Sequence, residues 1–417
     1  MSLKLNSFLI FIFFSTPFFS QIENEVSPPD YIKTIAFKGN SQESQLPILK
    51  LGEFLRLEFD ALNGDEDDFY YVIEHYNFDW TPSQLVKSEY LEGFDNQRIR
   101  NYDNSFNTLQ IYSHYRLIIP NQYTRSLKVS GNYIIKIFDD YDELVFSRKF
   151  MVYENAAIVG VSIKQSRDVK FIEEKQCVDI AISSSTIQFN NPKQTVRALI
   201  IQNNNLNTTI SNLKPMYTIG NQLIYKYKTE SSFWAGNEFI FFENKDIRAA
   251  NTGIQFIDLK ELYHNYLFTD IARAKKLYTY NPDINGNFLI TEIDAENPDI
   301  EADYAWIHFS LLLDDTFKDK NIYIYGNFNN YTIEENTKMN YDEYEGIYKN
   351  ELLLKQGFYN YKYVVVDNLG KIDENLISGN FYQTENSYKV LTYYRELGAR
   401  YDRIIGYGEA NSVDISN

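Results

Sequence analysis

Aromatic and β-branched residues alternate with polar ones over short runs along most of this chain, the period-two pattern of half-buried strands. Residues 31–37 and 55–60 read this way, each with one face to bury. Asn63-Gly64 and an acidic block at residues 65–68 precede a third such run, residues 69–76. The pattern resumes at residues 112–119, 133–139 and 145–153, with Gly131-Asn132 as a turn. Between Tyr76 and Tyr112 it lapses into a connection rich in Asn, Ser, Asp and Gly, opened by the turn signal Trp80-Thr81-Pro82-Ser83. An ordered connection of that size is unusual inside a compact domain, and such loops are often functional. It carries no catalytic constellation, so its expected use is contact with a partner.

Further strands are expected at residues 159–163, 178–182, 195–202, 223–229 and 239–242, then at 305–313, 322–325, 346–354 and 359–366. Asn203-Asn204-Asn205 reads as a polar turn. Residues 259–276 place Leu262, Tyr266 and Ile271 near one helical face, but Asp270 and the strand-rich surroundings favour extended structure. The fold class expected is all-β, tandem immunoglobulin-like or early-set β-sandwiches with a long ordered loop in the first. The partition is residues 1–20 as a leader, 21–154 as the first sandwich, 155–297 as a middle β-rich domain, 298–395 as a third sandwich and 396–417 as a polar tail.

Composition narrows the function. Aromatic residues make up 16% of the 417, with 35 Tyr and 30 Phe, which favours strands. A net charge of −17 argues against a nucleic-acid binder, which needs a basic face to displace counterions. Lys4, the apolar run 8–14 and Thr16-Pro17 resemble a secretory signal peptide, too short and too interrupted for a membrane span. The single cysteine, Cys177, forbids an intramolecular disulfide and reads as a small core residue on a strand. His75, His114, His264 and His308 show no metal-ligand spacing, so each is expected to be a hydrogen-bonded structural histidine. No nucleophile elbow, phosphate loop or paired-carboxylate site is present.

Two local patterns carry ligand chemistry. Asn281-Pro282-Asp283-Ile284-Asn285-Gly286 with Glu292 nearly fits a calcium loop, though its first ligand is Asn and flanking helices are missing. The bland alternative is an Asn-Gly turn into a strand at 288–293. Residues 322–331 (IYIYGNFNNY) and 354–363 (LKQGFYNYKY) resemble the glycogen-binding early-set sandwich, in which a Gly-Asp/Asn-Phe-Asn turn and a Trp precede a Leu-x-x-Gly-x-Tyr-x-Tyr-Lys strand. Tyr331 stands where that Trp would be, a smaller stacking platform. An exported glycan-binding accessory protein is therefore the alternative function.

Across residues 30–407 the chain resembles the plug protein of the Bacteroidota type IX secretion system. The resemblance rests on residues 74–83, 89–93, 105–120 (SFNTLQIYSHYRLIIP), 130–133, 148–153, 283–286, 325–328 and 398–407 (GARYDRIIGY), in that order. It implies a non-enzymatic periplasmic protein without cofactor or metal, which caps the periplasmic mouth of the giant outer-membrane barrel through which cargo leaves. It also implies a single copy per complex, no nucleic acid and no membrane span of its own. Trp80, Tyr90, Phe94, Tyr102 and Phe106, from the long loop, are the expected partner-contact residues; ordinary packing of that loop on its own sheet is the competing expectation.

Overall fold

A computed structural model of the chain describes residues 22–40 and 45–415; the leader expected over residues 1–20 lies outside them. The alternation of residues 31–153 closes into two facing sheets. One runs in the order Ile32–Lys38, Leu55–Ala61, Ser113–Ile119, Asn101–Asn104; the other Ile48–Lys50, Leu144–Tyr153, Gly131–Phe138, Tyr70–Tyr76, Gln97–Arg98. Pairing is antiparallel except for Ile48–Lys50, which lies parallel to the end of Leu144–Tyr153. Every second residue faces inward: Leu55, Leu57 and Phe59, then Phe69, Tyr71 and Ile73, then Tyr115, Leu117 and Ile119 meet Tyr133, Ile135, Phe146 and Phe150. Phe59 stacks on Tyr115 at 5.2 Å and meets Phe69 and Phe146 edge-on, also at 5.2 Å. Such pairs contribute about 0.5–1.5 kcal/mol each beyond the area they bury.

The second sandwich is assembled from both ends of the remaining chain. Ile158–Gln165, Lys175–Ser183, Gln222–Tyr225 and Tyr217–Ile219 form one sheet, with Ser232–Trp234 also on Lys175–Ser183. The facing sheet runs Asn205–Leu213, Val196–Gln202, Ser387–Tyr394, Arg403–Asn411. Cys177 lies fully buried on a strand, as expected. The third sandwich lies between these two halves of the second. Its sheets are built around Gly357–Val366, which pairs with Ile240–Glu243, Phe288–Ile290 and Asn321–Tyr325, and around Tyr304–Leu312, flanked by Tyr263–Leu267 and Ile347–Lys355. The preference for extended structure over residues 259–276 holds in Tyr263–Leu267 and Asp270–Ile271.

Strand pairing corrects the linear partition. Ile240–Glu243, Ile254–Leu259 and Phe288–Ile290 serve the third sandwich although they precede residue 298. The expected tail at 396–417 contains the strand Arg403–Asn411, hydrogen-bonded to Ser387–Tyr394, which in turn covers Val196–Gln202. The physical reason is the open edge of Val196–Gln202: its backbone groups need a second partner, and sequence neighbours supply only one. Among the described residues no helix is long and apolar enough to cross a membrane.

The first and second sandwiches meet through Met151, Leu199, Ile201, Leu391, Tyr393 and Ile404, an apolar cluster outside either core. Its rim is polar: the Tyr393 hydroxyl donates to Asn132 Oδ1 at 2.7 Å, and Arg403 grips Glu154 with two bonds of 2.8 Å.

Candidate partner-docking surface

The long loop begins at a turn that is tied down on the second sandwich. Trp80 sits at φ 59°, a left-handed position, closing a turn in which Asn77 N donates to Thr81 O at 2.8 Å. Phe78 N donates to Asp402 Oδ2 at 3.0 Å, and the Phe78 ring meets Tyr393 edge-on at 4.7 Å. The Trp80 ring packs half-buried against the apolar cluster, with Lys149 Nζ 4.6 Å from its centroid. Residues 87–104 then run back over the sandwich. Tyr90, Leu91 and Ile99 enter its core, and Tyr90 donates to the carbonyl of Ile73 at 3.3 Å.

The segment 105–112 differs in kind. Its ends are closed by Ser105 N donating to Tyr112 O at 2.8 Å and by Tyr112 N donating to Ser105 Oγ at 3.1 Å. Its backbone is bonded to the third sandwich: Phe106 N to Ile300 O at 2.9 Å, and Leu109 N and Gln110 N to the Asp303 carboxylate at 2.6 and 3.0 Å. With the main chain held this way, the side chains of Phe106, Leu109 and Ile111 are 67%, 51% and 63% exposed. Three large apolar side chains within six residues are thus held in solvent on a backbone bonded to two domains.

Beneath the loop two cross-strand pairs face each other. Asp60 and His114 are partners in the first sandwich, Tyr304 and Lys355 in the third. Asp60 accepts from His114 Nδ1 at 2.7 Å, from the Tyr304 hydroxyl at 2.6 Å and from Lys355 Nζ at 2.7 Å. The loop residue Tyr112 donates to Ala302 O at 2.8 Å, and Lys355 Nζ lies 4.1 Å from the centroid of its ring. Burial alone would raise the Asp60 carboxyl; the Lys355 ammonium and His114 outweigh it and hold the pKa below the usual carboxylate range. Glu58 is likewise penalised by burial, yet bonds from Arg116 at 2.9 Å and Arg56 at 2.7 Å, with His114 Nε2 3.7 Å away, bring it down to about 2. The His114 imidazole is itself raised: burial opposes its charge, and Asp60 and Glu58 more than restore it. The loop therefore rests on a buried ionic floor that fixes the first sandwich against the third.

The expected contact residues divide. Phe94 and Phe106 are exposed, Phe94 beside Tyr123 and Phe106 against Ile300. Trp80 and Tyr102 are half-buried, and Tyr102 donates to Glu66 at 2.6 Å. Tyr90 differs from the others: at 5% exposure it lies in the core of the first sandwich. Leu109 and Ile111, not among the expected contact residues, are exposed on the same loop; their signal is apolar side chains in an Asn- and Gln-containing run just outside a strand.

The ligand patterns also resolve. Tyr331 is 3% exposed, packed at 5.1 Å against Tyr325 and donating to Asn203 O at 3.1 Å, so it offers no platform to a sugar. Asp283 accepts from the backbone amides of Phe239 and Asn285 at 2.5 and 2.6 Å, and Glu292 accepts from Asp294 N at 2.8 Å. Asn285 and Gly286 have φ of 54° and 83°, the left-handed pair of an Asn-Gly turn leading into Phe288–Ile290. Two of the four histidines are hydrogen-bonded to each other: His264 Nδ1 lies 2.7 Å from His308 Nε2.

The family model described as type 9 secretion system plug protein 1st domain matches residues 32–154. A hypothetical protein from Parabacteroides merdae ATCC 43184, known from a crystal structure, is 33% identical, with a TM-score of 0.88 over 93% of this chain and 98% of its own. A complex of Dpr2 Ig1-Ig2 with DIP-Theta Ig1-Ig3 aligns at 8% identity and a TM-score of 0.13, and carries no argument. No curated protein matches the chain. With the first sandwich matched by that family model and the whole architecture shared with a Bacteroidota relative, the chain belongs to the type 9 secretion system plug protein family.

Proposed function

We propose that this protein is a non-enzymatic stopper in the periplasm, which caps the inner opening of the giant outer-membrane β-barrel of the type 9 secretion system and prevents leakage between rounds of export. A protein-conducting pore left open would pass solutes, so a removable rigid cap has a clear physical task. The observation that carries the reading is the loop 105–112, whose apolar side chains are presented to solvent while its backbone is pinned to two sandwiches. Such a contact element loses little conformational entropy on docking. The charge of −17 keeps the rest of the surface soluble.

The test is co-purification with the barrel from envelope membranes, comparing the parent with Phe106→Asp/Leu109→Asp/Ile111→Asp. These side chains are exposed, so the variant should melt like the parent while losing the barrel. Undiminished co-purification by a folded variant rejects this loop as the contact.

A further inference from the structure

On the third sandwich three neighbouring strands bring two imidazoles and a carboxylate together. Tyr263–Leu267 and Tyr304–Leu312 run parallel, with Tyr266 opposite His308; across the antiparallel pair on the other side, His308 is opposite Glu351. His264 Nδ1 is 2.7 Å from His308 Nε2, with ring planes inclined by only 24° and centroids 5.0 Å apart. That is an edge-to-edge arrangement, two nitrogens sharing one proton. Glu351 Oε2 stands 3.2 Å from the other nitrogen of His308, Nδ1. One ligand atom from each of the three residues lies within 4.8 Å of the other two.

We propose that His264 and His308 form a binding site for a divalent transition-metal ion of the zinc class, with Glu351 as the carboxylate that orients His308. The carboxylate of Glu351 beside Nδ1 of His308 favours the proton on that nitrogen, which leaves Nε2 to turn its lone pair toward His264. A carboxylate behind a metal-bound histidine is the usual means of fixing the ring and raising its basicity. Tyr266 stacks on His308 at 4.0 Å and 6°, and Phe256 on Tyr266 at 4.2 Å and 8°, so the imidazole is walled in place. On binding, His264 changes tautomer, its proton passing through water from Nδ1 to Nε2, and the ion takes the place of the shared proton between His264 Nδ1 and His308 Nε2. The nitrogens then spread to about 3.3 Å, the separation of two tetrahedral ligands at zinc–nitrogen distance. Water fills the remaining positions, since Glu351 is more than half exposed and the site faces solvent.

The site does not depend on pore capping and is tested apart from it. The full chain is titrated with zinc chloride against a chromophoric chelator, and with cobalt(II), whose d–d bands report nitrogen ligation. One ion per chain is expected. His264→Gln/His308→Gln should abolish it, and Glu351→Gln should weaken it about 10–100-fold. Should the histidine variants fail to fold, diethyl pyrocarbonate labelling of the parent decides: zinc should protect His264 and His308 in the peptide map. Retention of parental affinity by the folded double variant, no uptake by the parent at millimolar zinc, or no protection of the two histidines would overturn the site.

Discussion

Asp60→Asn removes one charge and no volume at the junction beneath the docking loop. In the parent three donors converge on this carboxylate: His114 Nδ1, the Tyr304 hydroxyl and Lys355 Nζ, all within 2.7 Å. An amide has a single acceptor oxygen, so its NH2 must meet one of those donors head-on. Tyr304 has an alternative partner in Thr34 Oγ1, 2.6 Å away; Lys355, at 1% exposure, keeps the carbonyl of Asp299 and the face of the Tyr112 ring but no anionic partner at hydrogen-bond distance. Breaking one side of a buried ion pair costs about 3–5 kcal/mol, mostly the penalty of the charge left behind. Lys355→Met in the same chain removes that charge while keeping a flexible stem in the cavity, so the double variant should regain about 1–3 kcal/mol. Calorimetric melting of the full chain reads the stability. Limited proteolysis at residues 105–112 reads the loop, which should open first in Asp60→Asn. The reasoning fails if Asp60→Asn melts with the parent, or if the double variant is as unstable as the two single losses summed.

Three other buried groups give measurable outcomes. Glu58, held at about 2 against an ordinary 4.5, contributes stability that is present above the ordinary value and lost as pH falls toward 2. The shift corresponds to roughly 3 kcal/mol, and Glu58→Gln should flatten that acid limb in a series of denaturation curves; an unchanged slope would remove Glu58 from the account. His114 has the opposite sign: its raised pKa gives stability present below the ordinary imidazole range and lost as pH rises through the folded value. Tyr331→Ala should cost about 3–5 kcal/mol through the cavity it leaves. Tyr331→Phe, which loses only the hydroxyl's bonds to the carbonyls of Asn203 and Asn285, should cost about 1 kcal/mol; equal thermal melting of both variants and the parent would contradict its burial.

The first sandwich was legible because its strands alternate cleanly and its turns are marked: Phe69, Tyr71 and Ile73 face inward where period two puts them. The loop was legible as a lapse in that pattern, but not the split within it. Tyr90 and Phe94 look alike in the sequence; one is in the core and the other in solvent because the short strand Leu91–Gly93 pairs with Thr124–Leu127 and carries the chain from one environment to the other. Long-range partnership leaves no local signature. Asp60 and Lys355 are 295 residues apart, and His264 and His308 are 44 apart on strands whose parallel pairing no spacing rule announces. The strand Arg403–Asn411 was hidden by its polar neighbours. Gly406 and Gly408 there let the backbone pass close to Ala157 and Val159, where a Cβ would sit 2.8 and 2.4 Å from their carbonyl oxygens.

The closing of the second sandwich by Ser387–Tyr394 also imposes an order in time. Val196–Gln202 leaves the ribosome, and any export channel, with one side of its ladder bare, and stays so until about 185 further residues have followed. Throughout that interval a raw hydrogen-bonding edge is open to any passing extended segment, so this is where a holding chaperone would be needed. A premature stop near residue 386 would therefore wound the molecule at its waist rather than trim its hem.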